Sequence, residues 1–188
     1  LLSYYSAIAT PNIHYIDTDL PHILKARNER ISTLRSELDA STLKRIETIA
    51  LDLEIAAKNS LHLSDLFPHA KRPVFLLEGV SYFLTPACVQ WLLAEICRYG
   101  HSALIADYCP DNALEVSTYF AKMFPQLDDF IPEKARTLWG TQDKKCLSGC
   151  FAYMEDRSIQ DVEGELVQGT DEKALLLNPN EFFPIWVL

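Results

Sequence analysis

The chain has 188 residues, 48% of them hydrophobic, and 26 acidic against 17 basic residues give it a formal net charge of −9. That length and apolar content suit one domain over residues 1–188 with a core of ordinary size. The acidic balance excludes DNA or another nucleic-acid backbone as the main partner, because no basic stripe is available to displace counterions, and Lys44-Arg45 and Lys144-Lys145 are too short to supply one.

Leu1 to Ala9 reads as a helix that Pro11-Asn12 breaks. Asn12 to Asp19, NIHYIDTD, is rich in β-branched and aromatic residues and predicts a strand whose tip holds Asp17 and Asp19. Pro21 then opens a helix from about Leu20 to Leu38, with Ile23, Leu24, Arg27, Ile31 and Leu34 on one stripe. The pattern recurs in ETIALDL, Glu47 to Leu53, a strand ending at Asp52, followed by a short polar helix near Ser60 to Phe67.

Pro73 to Leu84, PVFLLEGVSYFL, is the stretch around which the chain is organised. Val74 to Leu77 are apolar without alternation, as in a strand covered on both faces, and Glu78-Gly79 ends the run. A carboxylate at the carboxyl end of such a strand stands where ligands bind in open α/β sheets, although a capping or solvated acid reads the same way. Thr85 is the expected N-cap of the next helix, with Pro86 at its first position, Val89, Leu92, Leu93 and Ile96 on its inner face, and Gly100 as its stop. His101 to Tyr108 is a fourth strand, ending in Asp107, an acid that could equally cap a helix.

Four strands, each closing on an acid and followed by a helical segment, spell a parallel α/β sheet. Beyond Pro110 the expectation is a helix over Leu114 to Phe124 and an irregular polar tract over Asp128 to Gly140. Two late strands follow, Cys150 to Met154 and Phe182 to Leu188, one of them antiparallel.

Cys88, Cys97, Cys109, Cys146 and Cys150 form an odd set without a CxxC pair or zinc-like His spacing, so reduced core thiols and no metal are expected. With no signal peptide and no apolar run long enough for a bilayer, the expected setting is cytoplasmic, without a membrane partner. Homo-oligomerisation is left open.

No glycine precedes Gly79. A nucleoside site in such a sheet usually has a glycine-rich turn after the first strand, and the strand ending at Asp17 and Asp19 behaves like a second strand with a ribose-binding acid. The chain therefore reads as starting one strand late, an N-terminally incomplete fold.

Three blocks carry a family resemblance: YIDTDLPHILKAR from Tyr15 to Arg27, LDL at Leu51 to Leu53, and RPVFLLEGVSYFLTP from Arg72 to Pro86. In this order they resemble the leucine carboxyl methyltransferase family, which includes tetracenomycin-type polyketide O-methyltransferases. The resemblance implies a three-layer, Rossmann-like class I fold that uses S-adenosylmethionine as cofactor. It also implies methyl transfer to a carboxylate or hydroxyl oxygen of a small molecule or a protein. By it, Asp19, with Asp17 nearby, takes the ribose hydroxyls; Asp52 and Leu53 hold the adenine; and Glu78, followed by Gly79, accepts from the methionine ammonium. Phe83 stands where the family usually has Tyr, and Tyr82 is the substitute for the missing hydroxyl and the candidate catalytic residue.

The main alternative is a non-catalytic or truncated methyltransferase-like fold that acts by binding a protein partner. A nicotinamide-dependent oxidoreductase ranks below both, since the glycine fingerprint of that class is absent.

Overall fold

The computed structural model describes residues 2–34, 38–80, 83–107, 155–158, 165 and 184–187. The chain divides into two compact units, Leu1–Ala56 and Ala57–Leu188.

In the first unit, α1 (Leu2–Ala9) precedes β1 (Tyr15–Asp19), α2 (Pro21–Thr33), α3 (Ala40–Leu43) and β2 (Ile46–Ala50), and α4 (Leu53–Lys58) begins here. β1 and β2 pair in parallel, in register from Tyr15 opposite Ile46 to Asp19 opposite Ala50. Arg45, just before β2, donates from its guanidinium to the carbonyls of Ala7 at 2.6 Å and Thr10 at 3.1 Å. A cation thereby satisfies carbonyls that the end of α1 leaves without helical partners. Tyr4 is buried and its hydroxyl accepts the Asp39 N–H at 2.7 Å, which fixes the segment leading into α3.

The helix expected to reach Leu38 has Thr33 as its last residue and Leu34 as its C-cap. On its stripe Leu24 is buried and Arg27, Ile31 and Leu34 are half-buried, whereas Ile23 is exposed. Ile23 is about 100° round the helix from Leu24, at the flank of the covered face. Leu53, expected to end a strand, instead opens α4, a helix the sequence pattern did not predict.

The second unit holds α5 (Leu63–Leu66), β3 (Val74–Leu77), α6 (Pro86–Cys97), β4 (Ala103–Asp107), β5 (Glu155–Ser158) and β6 (Pro184–Val187). Its sheet has the order β3-β4-β6-β5, with β3 and β4 parallel and β6 antiparallel to both of its neighbours. The expected antiparallel late strand is therefore β6. The expected strand over Cys150 to Met154, the helix over Leu114 to Phe124 and the polar tract over Asp128 to Gly140 lie outside the described residues.

α6 forms as its sequence dictates. Thr85 caps it by accepting the Cys88 N–H at 3.3 Å, and Pro86 occupies the first turn, where a missing N–H costs nothing. Cys88, Val89, Leu92, Leu93, Glu95 and Ile96 are buried, and with Leu63, Leu77, Leu84, Leu104 and Ala106 they make up the described core of this unit.

β3 corrects the expectation of a strand covered on both faces. Val74 is 66% and Leu76 55% exposed, while Leu77 is buried and the Phe75 ring meets Tyr99 edge-on at 5.4 Å. Burial alternates because one face packs toward the end of α6 while the other is open, and β3 ends the strand order of the described sheet. A second correction concerns the thiols. Cys88 is a buried thiol outside any disulfide, but Cys97 is disulfide-bonded. Spacing along a chain does not reveal which sulfurs the fold brings together.

The architecture is thus alternating α/β with parallel strands, one parallel pair in each unit. No described helix is long and apolar enough to cross a membrane.

Candidate functional site

In the first unit the parallel pair brings Asp19 and Asp52 to one rim. Asp19 is the last residue of β1, opposite Ala50. Asp52 follows β2 by two residues and caps α4, its Oδ1 accepting the Ile55 N–H at 3.0 Å. Leu53 starts that helix, so its N–H has no acceptor within the helix. Asp19 is exposed, and its Oδ1 accepts the Leu20 N–H at 2.7 Å at the entry to α2. Each carboxylate keeps a second oxygen for which no described residue supplies a donor. That rim can therefore accept hydroxyl or amine protons from a ligand at two points.

Asp17 is employed differently. Its Oδ2 takes the Ser3 hydroxyl at 2.6 Å and a guanidinium N–H of Arg27, with Asp17 and Arg27 about a quarter and a fifth exposed. Arg27 also reaches Thr48 Oγ1 at 3.4 Å. The pair therefore ties α1, β1, α2 and β2 together. Sequence reasoning placed Arg27 on the inner stripe of α2 without giving it a task. The signal was present, since an arginine on an otherwise apolar stripe requires an acid facing it.

In the second unit Glu78 directly follows β3, and Gly79 after it takes φ +63°, the left-handed region. A Cβ at Gly79 would meet nothing within 4 Å, so the backbone turn itself, not crowding, calls for glycine. Glu78 is exposed and has no hydrogen bond or ion pair with any described residue. The register of Leu77 opposite Ala106 sets Asp107, the last residue of β4, beside it on the same rim. The Phe83 N–H donates to the Val80 carbonyl at 3.0 Å, and Phe83 is 43% exposed. Tyr82 lies outside the described residues.

Glu95 is a feature that sequence reasoning missed. It is 3% exposed, accepts the Leu63 N–H at 3.1 Å and faces His62 Nδ1 at 3.3 Å and the Arg98 guanidinium. Burial, followed by the charges of Glu95 and Asp65, pushes the Tyr99 phenol above its ordinary range. Its position in sequence, between Leu92 and Ile96, was the available clue. This cluster sits on the C-terminal half of α6, away from the Glu78 end of β3, and it anchors α5.

No curated protein matches the chain. The family profile described as leucine carboxyl methyltransferase matches residues 4–97, which is half of the chain. The matched span runs from α1 to the end of α6 and contains Asp19, Asp52 and Glu78 with the strands that present them. That family consists of S-adenosylmethionine-dependent methyltransferases, and this chain belongs to it.

Proposed function

We propose that the chain carries the S-adenosylmethionine-binding region of an O-methyltransferase whose acceptor is a carboxylate or hydroxyl oxygen. The observation that carries this reading is Glu78, an exposed carboxylate without a described partner, held at a strand tip by a left-handed Gly79. Such a group suits the methionine ammonium, a charge-assisted contact that also sets the direction of the sulfonium.

The donor chemistry of the other acids supports the same cofactor. Asp19 retains an oxygen for the ribose hydroxyls while the other holds Leu20. Asp52 retains one for an exocyclic amine, and the Leu53 N–H beside it suits a ring nitrogen. Asp17, engaged by Arg27 and Ser3, positions β1 in this reading. The three-layer class I fold and the single methyltransferase domain over residues 1–188 belong to the same proposal.

When bound, the cofactor supplies an electrophilic methyl group on an excellent leaving group, so the protein's task is to align donor and acceptor and exclude water. A carboxylate acceptor is already nucleophilic at neutral pH and needs no base. A hydroxyl acceptor needs one, and Tyr82 and Asp107 are the candidates the sequence offers.

Calorimetric titration with S-adenosylmethionine tests the reading. Glu78→Gln should weaken binding by about 1.5–3 kcal/mol, the value of a hydrogen bond to a charged group. Equal affinity in the two proteins removes Glu78 from the site.

A further inference from the structure

β3 ends the strand order β3-β4-β6-β5, so one side of it meets no described strand. The Ala103 N–H donates to the Pro73 carbonyl at 3.1 Å, which turns the backbone groups of Pro73, Phe75 and Leu77 toward β4. Those of Val74 and Leu76 therefore face the open side. Pro73, which has no N–H to offer, faces β4 and interrupts nothing along that edge.

The side chains of this stretch follow the same period. Arg72, Val74, Leu76 and Glu78 are spaced two apart and are all exposed, Val74 at 66% and Leu76 at 55%. Val74 and Leu76 share the bare face of β3, with a cation just before the strand and an anion just after it. In the reverse direction the order is acid, aliphatic, aliphatic, base, so the stretch is complementary to itself.

Antiparallel pairing of two copies, with Phe75 opposite Phe75 on a two-fold axis, sets Val74 against Leu76 and Arg72 against Glu78 on either side. In that register the outward N–H and C=O groups of Val74 and Leu76 all find partners. A slip of one residue would set the bare face against the packed one, and a slip of two sets Arg72 against Leu76 and separates the charges. Strand edge, aliphatic pair and flanking charges thus select one alignment.

We propose that this edge binds a second copy of the chain, β3 against β3, and continues the sheet across a two-fold axis. Arg72 has no part in the cofactor reading, and the pairing is measured with the cofactor left out, so the two proposals fail separately.

Sedimentation velocity of the whole chain over a concentration series should show a monomer–dimer equilibrium. Arg72→Glu and Glu78→Arg each turn both attractive charge pairs repulsive, and each should raise the dimer dissociation constant about tenfold or more. Mixed in equal amounts, the two variants should dimerise again, because every acid of one then meets a base of the other. That recovery also shows that both variants fold. A single-copy mass throughout the series overturns the proposal and leaves the edge to a strand of different sequence. Single variants that dimerise like the parent overturn it too, as does a mixture that stays monomeric.

Discussion

Leu51 donates its backbone N–H to the carbonyl of Asp19 at 2.9 Å. This rung closes the β1–β2 ladder at its carboxyl end and leaves Asp52 as the next residue, so both acids meet the same rim for a backbone reason. Asp52 has two tasks, capping α4 and facing a ligand, and they can be separated. Asp52→Ala should lose about 1 kcal/mol of stability through the cap. Asp52→Asn retains an acceptor for the Ile55 N–H and should melt like the parent while binding S-adenosylmethionine less tightly. Thermal melts combined with calorimetry distinguish the two effects, and identical affinity in Asp52→Asn counts against a cofactor role.

Gly79 is the pivot that turns the chain after Glu78. Because nothing crowds its α-carbon, Gly79→Ala costs only the left-handed backbone penalty, about 1–2 kcal/mol. The expected result is a modest fall in melting temperature with a disproportionate loss of cofactor affinity, since the strain is relieved by moving Glu78. Unchanged affinity would mean that the turn does not position the acid.

Glu95 is a structural anchor, and its removal should be expensive. Glu95→Ala leaves the Leu63 N–H and Arg98 without their acceptor and should destabilise the second unit by about 3 kcal/mol or more. Glu95→Gln keeps an acceptor and should recover a large part of that loss. Trp91, whose indole N–H donates to the Leu61 carbonyl at 3.2 Å, lies in the same region and provides a fluorescence signal for urea unfolding.

Acid should weaken the N-cap of α3. The Ser41 hydroxyl, then the Thr42 side chain and N–H, hold the Asp39 carboxyl down at about 2, from an ordinary 3.8. A carboxyl whose folded value is depressed stabilises the fold above its unfolded value, and the benefit fades as pH falls through the folded one. The contribution of this cap is therefore complete above about pH 4 and lost toward pH 2. In Asp39→Asn the melting temperature should lose this component of its acid dependence, which a series of melts between those limits would show.

Much of the scaffold was legible because local chemistry and tertiary packing agree. The Thr85-Pro86 start and the Val89, Leu92, Leu93 and Ile96 face of α6 follow from capping and period alone. The strand tips at Asp19, Glu78 and Asp107 follow from apolar runs that stop at an acid. What stayed hidden depends on contacts distant in sequence. Six residues of helix after Asp52 are too few to show a period, so α4 escaped notice. VFLL reads alike whether one face or two are covered, and only the fold shows Val74 and Leu76 bare. Arg27 stood on the inner stripe of α2 without a task until Asp17 of another element came into view, and Glu95 was not singled out at all until the fold set it against the Leu63 N–H.

Because β4 occupies one side of β3, the amides and carbonyls of Val74 and Leu76 point the other way, beyond the last described strand of that sheet. A short border of backbone groups that no described residue pairs, beside two naked aliphatic side chains and without a lysine within β3, is a template for chain-to-chain stacking. Concentrated solutions of this protein should consequently thicken or cloud with time, and a single positive charge placed at Val74 or Leu76 should keep them clear.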